Sequence, residues 1–293
     1  MAKDNLFRKK ETINLNGKLY DISNPLVMGI LNVTPDSFYD GGSYLNKETI
    51  RTQVQKLINE GVDIIDIGGY SSRPGAKNIT GEEEFKRISN ALEIICSEFE
   101  DVIISVDTFR SSVIKDVIKH FRLDIINDIT GGKNNNELAE LAALHQLPYV
   151  VMHMRGNPQN MQQLSNYKHV INEMLRELAE LASKAVDLGV NDIIIDPGFG
   201  FAKTAEQSFE VLNNLDLFSM LGHPLLVGLS RKSMIYKTLN IEPSEALNGT
   251  TALHMTALMK GAGILRVHDV KEARQVIDLF LKMTSKETST TKN

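Results

Sequence analysis

Charged and polar residues with no use inside a hydrophobic core recur in this chain at the ends of β-rich runs, and their types divide into two chemistries. Asp107, Asn127 and Asp196 lie at or near the ends of runs of Ile and Val. They are hydrogen-bond acceptors, with Asn serving both ways, and they suit a planar, N–H-rich heterocycle at about 1.5 to 3 kcal/mol per charged hydrogen bond. Arg73, Lys232, Arg266 and His268 form the second group, potential cations accompanied by the oxygen-bearing Asn32, Asp36 and Asp40. Such a set suits a phosphate or pyrophosphate bridged by Mg²⁺. Ser71, Ser72, Asp128, His153, Ser230 and Arg231 complete the strand-end polar residues, and all are expected at the same place. One Asn or His at a strand end is ordinarily a satisfied structural group, but so many strand ends together are not explained that way.

The segment MGILNVTPDSFYDGG, residues 28–42, runs an apolar strand straight into a polar loop. By itself it reads equally well as a capped turn, because Asn, Pro, Asp and Gly are the usual turn formers. Asp36 either binds substrate there or pins the turn through its own backbone.

Period supplies the elements that must hold these residues. Eight β-rich runs are expected at Val27–Asn32, Ile64–Gly68, Val102–Asp107, Asp124–Asp128, Tyr149–His153, Asp192–Asp196, Leu225–Ser230 and Ile264–His268. They recur roughly every 34 residues, the size of a βα unit. Helical stretches lie between them, clearest where Met174, Leu178, Leu181, Ala185 and Leu188 make one apolar stripe. Thr80 with Glu83 and Thr204 with Gln207 fit capping boxes, and Gly61 and Gly189 stand where helices should stop.

Parallel strands rich in Ile and Val, each followed by a crossover helix, argue for a (β/α)₈ TIM barrel within a single domain spanning 1–293, the barrel itself covering about 25–283. An open doubly wound sheet is the runner-up. Barrel sites lie at the C-terminal strand ends, often with phosphate near the last two strands, where Ser230–Ser233 would open a short helix with free N–H groups. Asn16-Gly17 between alternating apolar residues predicts a short N-terminal β-hairpin covering the barrel's bottom, and the tail SKETSTTKN is expected to be disordered.

Composition narrows the partners. A net charge of −5 with no sustained basic stretch beyond Arg8–Lys10 argues against nucleic acid or an anionic membrane. No apolar run is long enough to span a bilayer, and the first residues lack a secretory h-region, so a cytoplasmic protein is expected. Cys96, the only cysteine, falls in a helical apolar pattern and reads as core. GFGFAKT resembles a phosphate loop but lacks the Gly before Lys203, and neither HExxH, paired CxxC nor GxSxG occurs.

The ordered set GILNVTPDSFYDGG (29–42), DIGGYSSRPGA (66–76), SVDT (105–108), INDITGG (126–132), MHMRG (152–156), DPGFGFAKT (196–204), GLSRKS (228–233) and LRVHDV (265–270) resembles the dihydropteroate synthase family over nearly the whole chain. The resemblance implies condensation of (7,8-dihydropterin-6-yl)methyl diphosphate with 4-aminobenzoate to give 7,8-dihydropteroate, through a dissociative, carbocation-like substitution. It also implies Asp107, Asn127, Asp196 and Lys232 on the pterin edge, with Ile129, Met152 and Gly228 beside it, and Arg266 stacked on the pterin face. Asn32 would ligate Mg²⁺, and Arg266 and His268 would meet the pyrophosphate. Asp40 and Arg73 would complete that site from closing loops, and Phe38, Ser72, Pro74, Phe201 and Ser233 would frame 4-aminobenzoate. Lys232, Asp107, Arg266, Asp40 and Arg73 are the expected catalytic set, and the resemblance further implies sulfonamide inhibition and a homodimer. This chain has Tyr70 and Ser72 where many members carry an acid and Thr. A pterin-dependent methyltransferase, which needs no pyrophosphate site, and a silent pterin-binding protein are the alternatives.

Overall fold

The structure, a computed structural model, describes residues 10–15, 17–34, 47–71, 79–133, 135–156 and 160–285. The hairpin comes first, β1 (Thr12–Leu15) antiparallel to β2 (Lys18–Asp21), with Leu15 opposite Lys18. Strand and helix then alternate: β3 (Leu26–Asn32), α1 (Lys47–Asn59), β4 (Ile64–Gly68), α2 (Gly81–Glu98), β5 (Ile103–Asp107), α3 (Ser111–His120), β6 (Ile125–Asp128), α4 (Glu137–Leu144) and β7 (Tyr149–Met152). The second half continues with α5 (Val170–Asp187), β8 (Ile193–Asp196), α6 (Ala205–Asn213), β9 (Leu226–Val227), α7 (Ser233–Leu239), α8 (Leu247–Met259), β10 (Ile264–Val267) and α9 (Val270–Thr284). No helix among the described residues is long and apolar enough to cross a membrane.

Eight parallel strands pair in the order β8-β7-β6-β5-β4-β3-β10-β9. The ring closes because the Ile195 N–H donates to the Pro224 carbonyl at 2.8 Å and Ile195 bridges Leu225. That bridge removes the open sheet as an alternative. β9 is shorter than expected, since the Lys232 N–H donates to the Leu229 carbonyl at 3.1 Å and the turn lifts Ser230 out of the ladder.

Alternation along each strand sorts side chains between two cores. Val27, Leu31, Ile65, Ile67, Ile104 and Val106 face outward and pack under the helices. Met28, Ile64, Ile103, Ile125, Val150, Ile194, Leu226 and Ile264 face inward as an apolar layer, and Ile13 and Leu15 of the hairpin close it from below. The barrel floor is therefore dry, which forces polar inward residues towards the C-terminal end.

The helix signals hold with one difference. Met174, Leu178 and Ala185 are buried, Leu181 and Leu188 partly so, and Cys96 packs partly buried against the core. Thr204 and Gln207 form a full capping box. Thr80 accepts from the Glu83 N–H at 3.2 Å, but the Glu83 carboxylate turns to Arg87 Nε at 3.0 Å instead of returning to the cap. Of the expected disordered tail at 285–293, Ser285 caps the last helix and residues 286–293 lie outside the described residues.

Candidate active site at the barrel mouth

Above the apolar layer the inward positions become polar, and they enclose a cavity of about 620 Å³. Asn32, Asp107, Asn127, Ile129, Met152, Asp196, Phe201, Gly228, Lys232, Ser233, Arg266 and His268 all line it. Tyr70 and Ser71 line it as well. Pro35, Asp36, Phe38, Asp40, Ser72, Arg73 and Pro74 lie outside the described residues. A shallower depression of about 300 Å³ near the start of α5 brings no strand-end groups together.

The floor of the cavity is organised by Asp66, a residue sequence reasoning passed over. Fully buried on β4, it accepts from Ser105 Oγ at 2.6 Å through Oδ1. Its Oδ2 accepts from Asn127 Nδ2 at 3.0 Å and from Arg266 Nε at 2.7 Å. Arg266 Nη2 then reaches Asp107 Oδ2 at 2.7 Å, so two carboxylates pin one guanidinium. Since the Asn127 amide nitrogen is spent on Asp66, its amide oxygen remains as the acceptor. The available signal was a single acid among isoleucines, IIDIG, at the inward position of a strand. Burial opposes the charge on Arg266, but Asp66 and Asp107 outweigh it and hold the guanidinium above its ordinary value. Burial pushes the Asp107 carboxyl above its ordinary value, opposed by Arg266 and assisted by Asp66.

The opposite wall comes from the loop after β8. Asp196 Oδ1 accepts from the Gly198 N–H at 2.7 Å, and burial raises its pKa. Gly198 has φ +67°, and a Cβ there would meet the His153 carbonyl at 2.2 Å, so only glycine fits. Phe201 places its ring centre 4.4 Å from Lys232 Nζ. Lys232 stands at the start of α7, lowered to about 8 by burial and then by Arg266, while Asp196 and Asp107 pull the other way.

Three strand-end residues expected at the mouth do chemistry elsewhere. Asp128 and His153 alternate to the outer face. Asp128 accepts from Tyr149 Oη at 2.6 Å and from Thr130 and Gly132, which folds the loop after β6. His153 Nδ1 lies 3.1 Å from Lys203 Nζ and its Nε2 3.3 Å from Glu177 Oε2. Arg231 reaches the cavity edge but commits its guanidinium to Asp269, with two contacts of 2.8 Å. His268 is at the mouth as expected, although burial and then Arg266 lower it to about 4, which favours a neutral imidazole, and its Nδ1 lies 3.2 Å from Ser230 Oγ. Tyr70 packs edge-on against Phe109 at 5.3 Å, and the Arg110 guanidinium, which also bonds Glu84 and the Ile79 carbonyl, lies over both rings.

For a metal, the described residues contain no cluster of three His, Cys, Asp or Glu side chains. A Mg²⁺ that keeps its waters and takes its other ligands from substrate phosphates needs only one or two protein oxygens. Asn32 fits that need. Its Oδ1 lies 3.2 Å from where a Cβ on Gly68 would stand, so the glycine keeps the space between Asn32 and Asp107 open.

Comparison with known proteins agrees with this geometry. Residues 28–268 match the family described as pterin binding enzyme. A dihydropteroate synthase of Escherichia coli is 45% identical over 270 residues, which is 90% of this chain and 95% of that one. The crystal structure of the Yersinia pestis dihydropteroate synthase with a sulfonamide drug complex superposes with a TM-score of 0.87 at 38% identity, covering 94% of this chain and 100% of that one. The enzyme from Thermus thermophilus in complex with 4-aminobenzoate gives a TM-score of 0.83 at 34% identity, covering 93% and 99%.

Proposed function

This chain belongs to the pterin-binding enzymes, and from that membership and the residues of its mouth we infer how it acts as a dihydropteroate synthase. It is a transferase of folate biosynthesis that condenses (7,8-dihydropterin-6-yl)methyl diphosphate with 4-aminobenzoate, giving 7,8-dihydropteroate and diphosphate. The observation that carries the assignment of roles is the convergence of Asp107, Asn127, Asp196, Lys232 and Arg266 on one cavity.

The pterin edge presents N–H donors to Asp107, Asp196 and the Asn127 amide oxygen, while the Lys232 ammonium donates to the pterin's acceptor atoms. Arg266, pinned by Asp66 and Asp107, stacks on the pterin face. Ile129, Met152 and Gly228 shape the pocket around the ring. The carbon–oxygen bond to diphosphate then breaks ahead of attack, and diphosphate leaves with the electron pair. The methylene cation is conjugated with the pterin, so stabilising the leaving group and cradling the cation matter more than a strong base. The amine of 4-aminobenzoate, held by Phe201 and Ser233, forms the carbon–nitrogen bond and loses its proton to solvent. Arg266 and His268 face the departing diphosphate, whose charge would draw a proton onto His268.

Mg²⁺ bound at Asn32 would neutralise diphosphate charge. Asp40 and Arg73, with Phe38, Ser72 and Pro74, complete the site from the first two loops in this reading. Sulfonamides act by imitating 4-aminobenzoate. We propose a cytoplasmic location for the reaction, a reading supported by Cys96 being a free thiol. A homodimer is the expected assembly, on helices remote from the mouth. The exposed Met220 and Met259, on segments tied by the Lys260–Asp216 pair, support a face there.

The test is incubation with dihydropterin diphosphate, 4-aminobenzoate and Mg²⁺ while dihydropteroate is monitored. Folded protein that binds pterin and makes no product would point to a silent binder. Methyl transfer from a folate without diphosphate chemistry would point to a methyltransferase.

A further inference from the structure

Lys203 does not line the mouth, yet it is 4% exposed and carries its amino group into the protein, where burial lowers it to about 7 against the pull of Asp196 towards the charged form. Burying such a charge costs several kcal/mol unless every proton finds an acceptor. Here all do: Nζ lies 3.1 Å from each of the Gly198 carbonyl, the Phe201 carbonyl and His153 Nδ1. A lysine donating to Nδ1 leaves the imidazole proton on Nε2, which faces the Glu177 carboxylate at 3.3 Å. Glu177 is held in turn by Arg155 Nε at 3.0 Å. Contacts thus run from the helix layer to the back of the loop after β8, the one between His153 Nε2 and Glu177 being an ion-pair approach without hydrogen-bond alignment.

That loop is strained where Lys203 grips it. Gly198, Gly200 and the buried Ala202 all take positive φ, of +67°, +79° and +47°. Positive φ at a non-glycine residue persists only where surrounding contacts enforce it. The same short loop carries three groups of the site: the Gly198 N–H on Asp196, Gly200, where a Cβ would come within 3.3 Å of the Lys232 side chain, and the Phe201 ring over Lys232 Nζ.

We propose that Lys203 is a positioning residue for the 4-aminobenzoate wall of the mouth, its ammonium tying the Gly198 and Phe201 carbonyls to His153 so that Phe201 stays against Lys232. This rests on the reading of Phe201 as part of the 4-aminobenzoate site. Lys203 touches no substrate, and the pterin floor on β4, β5, β6 and β10 is built without it. Of the pterin-edge groups only Asp196 and Lys232 meet this loop, and each is also held by its own element, β8 or the start of α7, so loss of the tie falls mainly on the 4-aminobenzoate wall.

Lys203→Met keeps length and removes every donor, and Lys203→Gln donates to two acceptors at most. Steady-state kinetics should show KM for 4-aminobenzoate rising roughly tenfold in the first and by about threefold in the second. The affinity for the pterin substrate, measured by calorimetry, should stay within about twofold of wild type in both. In a Phe201→Ala background, Lys203→Met should add nothing further to KM for 4-aminobenzoate. Equal loss of both substrates, or full additivity with Phe201→Ala, overturns the proposal in favour of a general structural tie. If Lys203→Met does not fold, Lys203→Gln decides alone, and an unchanged KM for 4-aminobenzoate overturns it. Wild-type protein that makes no dihydropteroate would sink the functional reading itself, a result distinct from any of these.

Discussion

Arg266 and Asp66 are separated by 200 positions in sequence and by 2.7 Å in the barrel, where Nε donates to Oδ2. The pair fixes the plane of the guanidinium, because Asp107 takes Nη2 from the other side. One cation of the mouth is thereby oriented before any substrate arrives, with the cost of ordering it met during folding.

Asp66→Ala should lower stability by about 3 kcal/mol, the usual effect of removing one partner from a buried pair. It should also weaken pterin binding, because Ser105, Asn127 and Arg266 lose their common acceptor. Thermal denaturation and calorimetric titration check both, and an unchanged melting temperature would show that the pair is not a structural anchor.

Lys232→Ala and Asp196→Asn should each reduce kcat/KM by at least about a hundredfold, since they remove contacts to the reacting pterin. Both should melt within a few degrees of wild type, because neither change opens the apolar core. Near-normal turnover in either variant would remove that residue from the site.

With Lys232 lowered to about 8, kcat/KM should fall above that pH as the ammonium is lost. Stability should move the opposite way. The unfolded lysine keeps its proton to near 10.5, so between about 8 and 10.5 the unfolded chain binds more protons and this group makes the fold more stable as pH rises. Urea midpoints of wild type and Lys232→Met at the two ends of that window test the sign, the wild type gaining relative to the variant.

Leu15→Ala in the hairpin should cost roughly 2 to 5 kcal/mol through a cavity under the barrel, with both KM values unchanged. Denaturant unfolding and steady-state kinetics on the same preparation separate the two effects. A change in KM would mean that the floor reaches the mouth.

Asn32→Ala should raise the Mg²⁺ concentration needed for half-maximal binding of the diphosphate substrate by roughly tenfold. Binding of a pterin without diphosphate should be unaffected. A metal titration that does not move would take Asn32 out of metal binding.

Much of this was legible in the chain itself. Short Ile- and Val-rich runs at even spacing, with caps and glycine stops between them, specify β/α units because each signal acts within a few residues. Gly17, at φ +77°, turns the hairpin in the same local way, with Leu15 opposite Lys18. That a polar mouth forms at the C-terminal strand ends was also readable, since the charged residues recur there and not along the apolar runs.

Only the folded barrel decided which polar side chains share that mouth. Asn127 and Asp128 are neighbours in sequence, yet one faces the pterin cavity and the other the Tyr149 hydroxyl behind the sheet. His153 lies on the outer side for the same reason, and Arg231 is drawn off by Asp269 from beyond β10. Ring closure through Ile195 and Leu225, the Asp66 anchor and the Lys203 tie all join residues far apart in the chain. Local pattern determined what each segment becomes, while pleat direction and barrel closure, which exist only once eight strands have paired, determined what each side chain meets.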